Sequence, residues 1–203
     1  MSDSIVFDLD DWCDAHAGWA LPLLDTLYRE SQGRLKVTLF TIPAQTDEET
    51  LVLCTARPWL ELAVHGWNHT PGECLTWDIE CTKQVLGAAL ATGVQHEEDD
   101  PIYKPLFKAP YWQAAPEVYE ALADCGWAVA AHPRDAQRLP GRLRRYVLAP
   151  DHRVGAPHTL LPIVQAHGHV QDVEGNGLRE RWGDFVRLAR SGLPYKFVTE
   201  VVS

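Results

Sequence analysis

Two histidines four positions apart, His65 and His69, follow directly on the apolar stretch Leu62-Ala63-Val64. An earlier apolar run, Ile5-Val6-Phe7, leads to two adjacent carboxylates, Asp10 and Asp11. Two imidazoles at this spacing can lie on one side of a helical turn, close enough to hold one ion. A carboxylate from another strand end makes a third ligand and leaves one coordination position for water. Three ligands and an open position form the set of a hydrolytic metal centre, whereas a structural zinc site is closed by four.

The elements that must position these residues alternate between strand-like apolar runs and helical spacings, the pattern of an α/β domain with a mainly parallel sheet. Strands are expected at 5–9, 37–42, 60–64, 106–109, 127–131, 161–166 and 197–202, and helices at 17–31, 76–91, 117–125 and 182–191. The segment 50–58 is ambiguous between the two. Gly33, Gly93, Gly126 and Gly192 are plausible helix stops, and Pro110 ends the fourth strand because proline cannot donate to a central ladder. Asp10, Asp11, His65, the Pro110-Tyr111-Trp112 turn, His132 and His167 all come directly after expected strands. In parallel α/β folds that is the carboxyl end of the sheet, where functional residues gather. Packing alone does not explain such a recurrence.

With 203 residues, 46% of them hydrophobic, the chain can bury one sizeable core, and residues 1–203 are read as a single domain. A net charge of −10 and a pI near 5.3 argue against tracking a nucleic-acid backbone. The basic run from Arg138 to Arg145 reads as a solvated loop, and so does the acidic run from Glu97 to Asp100. No stretch approaches the roughly 20 apolar residues needed to cross a bilayer, and the N-terminus shows no export signal, so a cytoplasmic location is expected. The five cysteines, odd in number and without a C-x-x-C pair, fit small core residues in a reduced compartment.

In this order and spacing the residues resemble the polysaccharide deacetylases, carbohydrate esterase family four, from near residue 5 to residue 201. Asp8-Leu9-Asp10-Asp11-Trp12 is similar to the family's first motif, an Asp pair ending strand one. His65-Gly66-Trp67-Asn68-His69 resembles the second, Phe107-Lys108-Ala109-Pro110-Tyr111-Trp112 the third, and Ile163-Val164-Gln165-Ala166-His167 the last. The resemblance implies a deformed (β/α) barrel and a metal-dependent hydrolase that removes an acyl group, acetyl first, from an N-acylated carbohydrate-like substrate. It implies Asp11, His65 and His69 as metal ligands, Asp10 as general base and His167 as general acid. A backbone N–H near Tyr111 would face the developing oxyanion, with Pro110 shaping the turn and Trp67 and Trp112 as apolar walls. Zinc is the first expected ion, and a two-His, one-carboxylate set also accepts Co, Ni or Fe. The expected partner is a small carbohydrate or glycan, with neither nucleic acid nor membrane, and the oligomeric state is open.

Two departures stand out. Lys108 occupies the position of an Arg that in the family pairs with the catalytic Asp. The fourth motif, an Asp and a Trp that tune the acidic His, has no recognisable counterpart, and Asp135 lies nearest to its place. Of His167 and His169, His167 is expected to enter the site because it directly follows the apolar run. Asp8, two before Asp10 on a strand, could face the same cleft. His16, His96, His152 and His158 read as surface or loop residues, and Trp19, Trp59, Trp77, Trp127 and Trp182 as core or helix-packing residues. Two other readings compete. One is a non-catalytic carbohydrate- or metal-binding protein on the same fold. The other is a haloacid-dehalogenase-type phosphatase using Asp8 and Asp10, with Lys108 and Asp184 pressed into its later roles, which leaves His65, His69 and His167 without a purpose.

Overall fold

The computed structural model describes residues 4–92, 101–148, 163–172 and 175–202. Every strand pairing in it is parallel. Strands β1 (Ser4–Trp12), β2 (Val37–Thr41), β3 (Leu60–His65), β4 (Tyr103–Lys108), β5 (Ala128–Ala131), β6 (Arg144–Val147) and β7 (Ile163–His169) form one sheet. Their order is β6-β5-β4-β3-β2-β1-β7, and the short β8 (Tyr195–Lys196) also pairs with β1. Helices α1 (Asp14–Glu30), α2 (Glu48–Thr55), α3 (Ile79–Ala91), α4 (Pro116–Asp124) and α5 (Trp182–Ala189) are the crossovers between strands. The result is the α/β domain with a parallel sheet expected from the alternation of patterns, curled as the family resemblance implies.

Alternation along each strand separates two cores. Ile5, Phe7 and Leu9 of β1 join Leu21, Leu24 and Leu27 of α1 in the core between sheet and helices. Val6, Phe40, Ala63, Leu106, Ala128 and Tyr146 form a second cluster on the concave inner face. Asp8 and Asp10 continue the inner face of β1 above Val6. The five expected tryptophans all serve packing: Trp59 and Trp127 are buried, and Trp19, Trp77 and Trp182 pack partly buried against the outer core.

Local chemistry sets the helix ends. Gly33, at φ 76°, closes α1 by donating to the Tyr28 carbonyl at 2.9 Å. The ambiguous segment at 50–58 is helical through Thr55, as part of α2, which is started by Asp47, whose carboxylate accepts the Thr50 N–H at 2.8 Å. Asp78 does the same for Cys81 at 2.8 Å, so α3 begins at Ile79 rather than Thr76. Strand β4 starts at Tyr103 and contains Pro105, which falls where its register against β3 shifts between Leu62 and Val64.

Two expectations are corrected. The basic run is not all loop: Arg144 and Arg145 begin the edge strand β6, and their charges hide its alternation. Arg145 donates to the Ala136 carbonyl at 3.1 Å, and Arg142 pairs with Glu120 and Asp124, both at 2.7 Å. The final strand at 197–202 is absent, because side chains take the N–H groups that a ladder would need. Glu200 accepts from Phe197 N–H at 2.7 Å and Thr38 Oγ1 from Val198 N–H at 3.0 Å, which folds Val198–Glu200 into a turn. His16 lies half-buried near the start of α1. His96, Glu97 to Asp100, Gly93, His152, His158 and the strand positions 161–162 lie outside the described residues. All five cysteines are free, with Cys13, Cys54 and Cys74 buried. No helix among the described residues is long and apolar enough to cross a membrane.

The inner face is closed at its lower end by a buried carboxyl. Glu61 accepts from Thr38 Oγ1 at 2.8 Å and from the Thr199 hydroxyl. Burial pushes the Glu61 carboxyl above its ordinary 4.5, against the pull of these hydroxyls and of Lys104. A carboxyl that holds its proton more tightly when folded stabilises the fold at low pH, and that contribution fades as pH rises from 4.5 through the raised value. Glu61→Gln keeps an acceptor for Thr38 and removes the titration. Its stability, followed by urea unfolding, should decline less than wild type between about pH 4 and about pH 8; an unchanged difference would show that Glu61 is not held protonated.

Candidate metal centre

The parallel register of β1 against β7 sets Asp8 beside His167 and Asp10 beside His169. Residues two apart on a strand share a face, so this block of two carboxylates and two imidazoles points into the concave side together. That corrects the expectation that only His167 enters: His169 enters as well. His167 Nδ1 lies 2.8 Å from Asp8 Oδ2, and His169 Nδ1 lies 2.7 Å from Asp11 Oδ2.

Asp11 follows Asp10 directly and in a regular strand would face outward. Its φ of 64° turns the side chain back into the site. There Asp11 Oδ1 sits 2.8 Å from His69 Nε2 and 3.4 Å from His65 Nε2. These three residues form a ligand-like group whose donor atoms all lie within 4.8 Å of one another. His65 Nδ1 faces the Lys108 carbonyl at 3.0 Å, which only accepts, so Nδ1 carries the hydrogen and Nε2 is the nitrogen turned toward Asp11. Asp11 Oδ1 is buried and has no hydrogen-bond partner. A buried carboxylate oxygen beside two imidazole nitrogens is the donor set a divalent cation satisfies once those nitrogens are neutral, so these residues fit a metal.

The segment joining the two histidines is a loop, not the helical turn suggested by their spacing. Gly66 at φ 64° and His69 at φ 60° bend it, and the rings finish 4.7 Å apart. Glu73 organises the bend by accepting from the N–H groups of Trp67 at 2.6 Å and of Asn68 and Thr70 at 3.1 Å. A Cβ at Gly66 would stand 2.1 Å from Glu73 Oε1 and 2.5 Å from Pro110 Cγ, so only glycine passes there.

Lys108, at the end of β4, is fully buried and reaches across the concavity. Its Nζ donates to Asp10 Oδ1 at 2.6 Å and Asp8 Oδ2 at 3.0 Å, and lies 3.3 Å from His167 Nδ1. The ammonium also rests over the rings of Phe40 at 4.5 Å and Trp112 at 4.4 Å. Burial works against every charge here, and mutual attraction outweighs it: Lys108 is held above its ordinary value by Asp10 and Asp8. Asp8 and Asp10 are held below theirs, burial notwithstanding, chiefly by Lys108 and His167. Asp11 is likewise well below the carboxylate range, because the neighbouring rings of His169, His65 and His69 outweigh desolvation.

A second ligand-like group, Asp10, His167 and His169, adjoins the first. The two differ in what already occupies them. Lys108 sits against Asp10 and His167 and supplies the positive charge that a second ion would bring. The first group contains no lysine or arginine, and Asp11 is braced on its far oxygen by His169 and by Gln171 Nε2 at 2.6 Å.

The remaining expected residues divide. Trp112 stacks edge-on against His167 and His132, both at 5.8 Å, and the half-exposed Tyr111 lies 5.1 Å from the His69 ring. Pro110 is buried against Gly66, while Trp67 packs against the outer core rather than standing as a free wall. Asp135 pairs with Arg134 at 3.7 Å, and the carboxylate at His167 is that of Asp8. Asp184 pairs with Arg181 and Arg187 on α5, which removes the late acidic residue that a phosphatase reading needs. Gln171 and Glu73 were missed from the sequence, because each acts through Asp11 or through the His65–His69 loop rather than through a motif of its own. An open groove of about 410 Å³ adjoins Trp112, lined also by Leu75, Gln113, Tyr119, Arg134 and Arg138.

No protein-family model and no curated protein matches the sequence. Solved structures do match its fold. A family 4 acetyl xylan esterase from Clostridium thermocellum, solved with a cobalt ion, superposes with a TM-score of 0.64 at 13% identity, over 98% of this chain and 89% of that one. The peptidoglycan deacetylase PdaC from Bacillus subtilis gives 0.61 at 16% identity over 98% and 89%. A family 4 pseudoenzyme from Bacillus anthracis gives 0.63 at 12% identity over 98% and 65%. The likeness establishes a polysaccharide-deacetylase-like fold across nearly the whole chain.

The pH dependence of metal uptake follows from His69. Desolvation opposes its charge, but Asp11, Asp10 and Glu73 outweigh it and hold the imidazole above its ordinary 6.5. The protonated ring therefore stabilises the ion-free fold below 6.5, and that contribution is lost as pH rises through the raised value. An ion needs the neutral ring, so calorimetric titration with Zn²⁺ or Co²⁺ should show one ion per chain, tighter binding at higher pH, and proton release. Asp11→Asn and His69→Ala should abolish uptake; full stoichiometry in either would refute the ligand set.

Proposed function

We propose that this chain, a domain of the carbohydrate esterase family 4 fold, is a metal-dependent hydrolase that removes an acyl group, acetyl first, from an N-acylated carbohydrate-like substrate. The observation that carries the reading is the position of Asp10 Oδ2. It lies 3.9 Å from His65 Nε2 on the metal side and 3.8 Å from His167 Nε2 on the other. A base thus stands between a ligand set and a proton donor, as the two halves of amide hydrolysis require.

Asp11, His65 and His69 would hold the ion, with zinc the first choice and cobalt, nickel or iron acceptable to the same donors. When bound, such an ion supplies a Lewis acid that polarises an acyl carbonyl and makes water more acidic. Asp10 takes the proton of the attacking water at Oδ2, while Lys108 on Oδ1 keeps the carboxylate ionised and oriented. His167 gives a proton from Nε2 to the departing nitrogen. The Tyr111 N–H would face the acyl oxygen as its charge grows, as the family resemblance implies, and the next N–H groups, of Trp112 and Gln113, are bonded to the Ala109 and Pro110 carbonyls at 3.1 Å. Trp112 and the adjoining groove receive the sugar, an aromatic face against the ring and polar groups at the rim.

A pseudoenzyme shares the fold, so activity is argued from Asp10, His167 and the intact ligand set rather than from architecture. The structural neighbours include an esterase and a peptidoglycan deacetylase, which supports an acylated carbohydrate as the substrate class. Acetate release should be measured on N-acetylated oligosaccharides with metal-loaded protein. Asp10→Asn should lower turnover by about 10²–10⁴-fold while still binding one ion per chain. Undiminished turnover in that variant, or no acyl substrate turned over by wild type, would overturn the reading.

A further inference from the structure

We propose that Asp8 is the positioning residue for the proton donor: its carboxylate holds the Nδ1–H of His167 and turns Nε2 toward the leaving group. The inference rests on His167 as general acid. The family resemblance implies a separate Asp in a fourth motif for this duty, and the residue nearest that place, Asp135, is spent on Arg134. The duty has moved into strand β1, three residues before the metal-binding Asp11.

Two of the described neighbours compete to set the His167 tautomer. Asp8 Oδ2 is 2.8 Å from Nδ1, and Lys108 Nζ is 3.3 Å from it. An ammonium only donates and an ionised carboxylate only accepts, so the two demand opposite states of Nδ1. A lone pair on Nδ1 would suit Lys108 but would face an ionised carboxylate at the shorter distance. Lys108 has other acceptors, Asp10 Oδ1 at 2.6 Å and Asp8 Oδ2 at 3.0 Å, whereas a hydrogen on Nδ1 has Asp8 directly in front of it. Nδ1 therefore carries the hydrogen, and Nε2 is the nitrogen that exchanges a proton with substrate.

The backbone enforces this pair. Asp8 and His167 are register partners on adjacent parallel strands, and both are buried. A ladder rather than a loop thus fixes their separation.

A general acid matters when the leaving group is a poor one, such as an amine, and little when an aryl oxide departs unaided. In metal-loaded Asp8→Asn, turnover of an N-acetyl sugar should fall about 10²-fold or more, while hydrolysis of 4-nitrophenyl acetate falls less than about tenfold. Metal stoichiometry should stay at one ion per chain. Equal losses on the two substrates with the ion retained, or no loss on either, would overturn the proposal. Should the variant not fold, nitrogen-15 NMR of the wild-type His167 ring decides: a hydrogen on Nδ1 is expected, and a hydrogen on Nε2 alone overturns it. That measurement needs no turnover, so a wild type inactive on every acyl substrate would sink the hydrolase reading and leave the Asp8–His167 pairing to be judged separately.

Discussion

A buried ammonium between two carboxylates is the interaction around which this molecule is arranged. Lys108 is fully excluded from solvent, and an isolated charge in such a place is prohibitively costly. It is tolerated because β1 brings Asp8 and Asp10 to it and the rings of Phe40 and Trp112 flank it. Strands β2 and β3 stand between β4 and β1 in the sheet, so a contact across them requires the sheet to curl. Curl and charge cluster are thus one constraint. Removing the lysine would strand two carboxylates in the interior, a change of the kind that costs about 3–5 kcal/mol.

The second constraint is that a strand end must stop alternating where the chemistry begins. Of the five non-glycine residues with positive φ among the described residues, four are Asp11, His69, Tyr111 and Trp112. Each sits beside the site, and each would point elsewhere in a regular continuation. Backbone conformations of this kind are unfavourable and persist only where the surroundings over-determine them. Here the surroundings are specific: the His169 and Gln171 hydrogen bonds on Asp11, the Glu73 carboxylate under the His65–His69 loop, and a Gly66 pressed against Glu73 and Pro110.

Much of this was legible in the residues. Apolar runs ending in Asp10-Asp11, His65 and His167 revealed both the parallel sheet and the side of it that carries the chemistry, because strand ends are visible where hydrophobicity stops. What was not legible depends on register. The contact of Asp8 with His167 spans 159 positions and exists only because β1 and β7 pair in one alignment. His169 was set aside although residues two apart on a strand share a face, an error about geometry rather than a lack of signal. The edge strand β6 hid behind its arginines, and the turn at Val198–Glu200 hid behind a β-branched run whose N–H groups are taken by side chains.

The two departures from the family pattern, Lys108 for arginine and a fourth motif without counterpart, are physically a single change. Arginine's planar fork is matched to one carboxylate taken with two parallel bonds. Once β1 supplies a second carboxylate two residues from the first, the cation must serve two acceptors arriving from different directions, beside an imidazole that also needs one of them. A compact ammonium with three rotatable donors meets that demand, at 2.6 Å to Asp10 and 3.0 Å to Asp8, while leaving Asp8 Oδ2 within 2.8 Å of His167. Asp8 thus makes a lysine sufficient, and the lysine keeps Asp8 ionised enough to hold the histidine. Neither residue is intelligible as an isolated substitution, and together they give Asp10 and His167 a common brace in place of two separate ones.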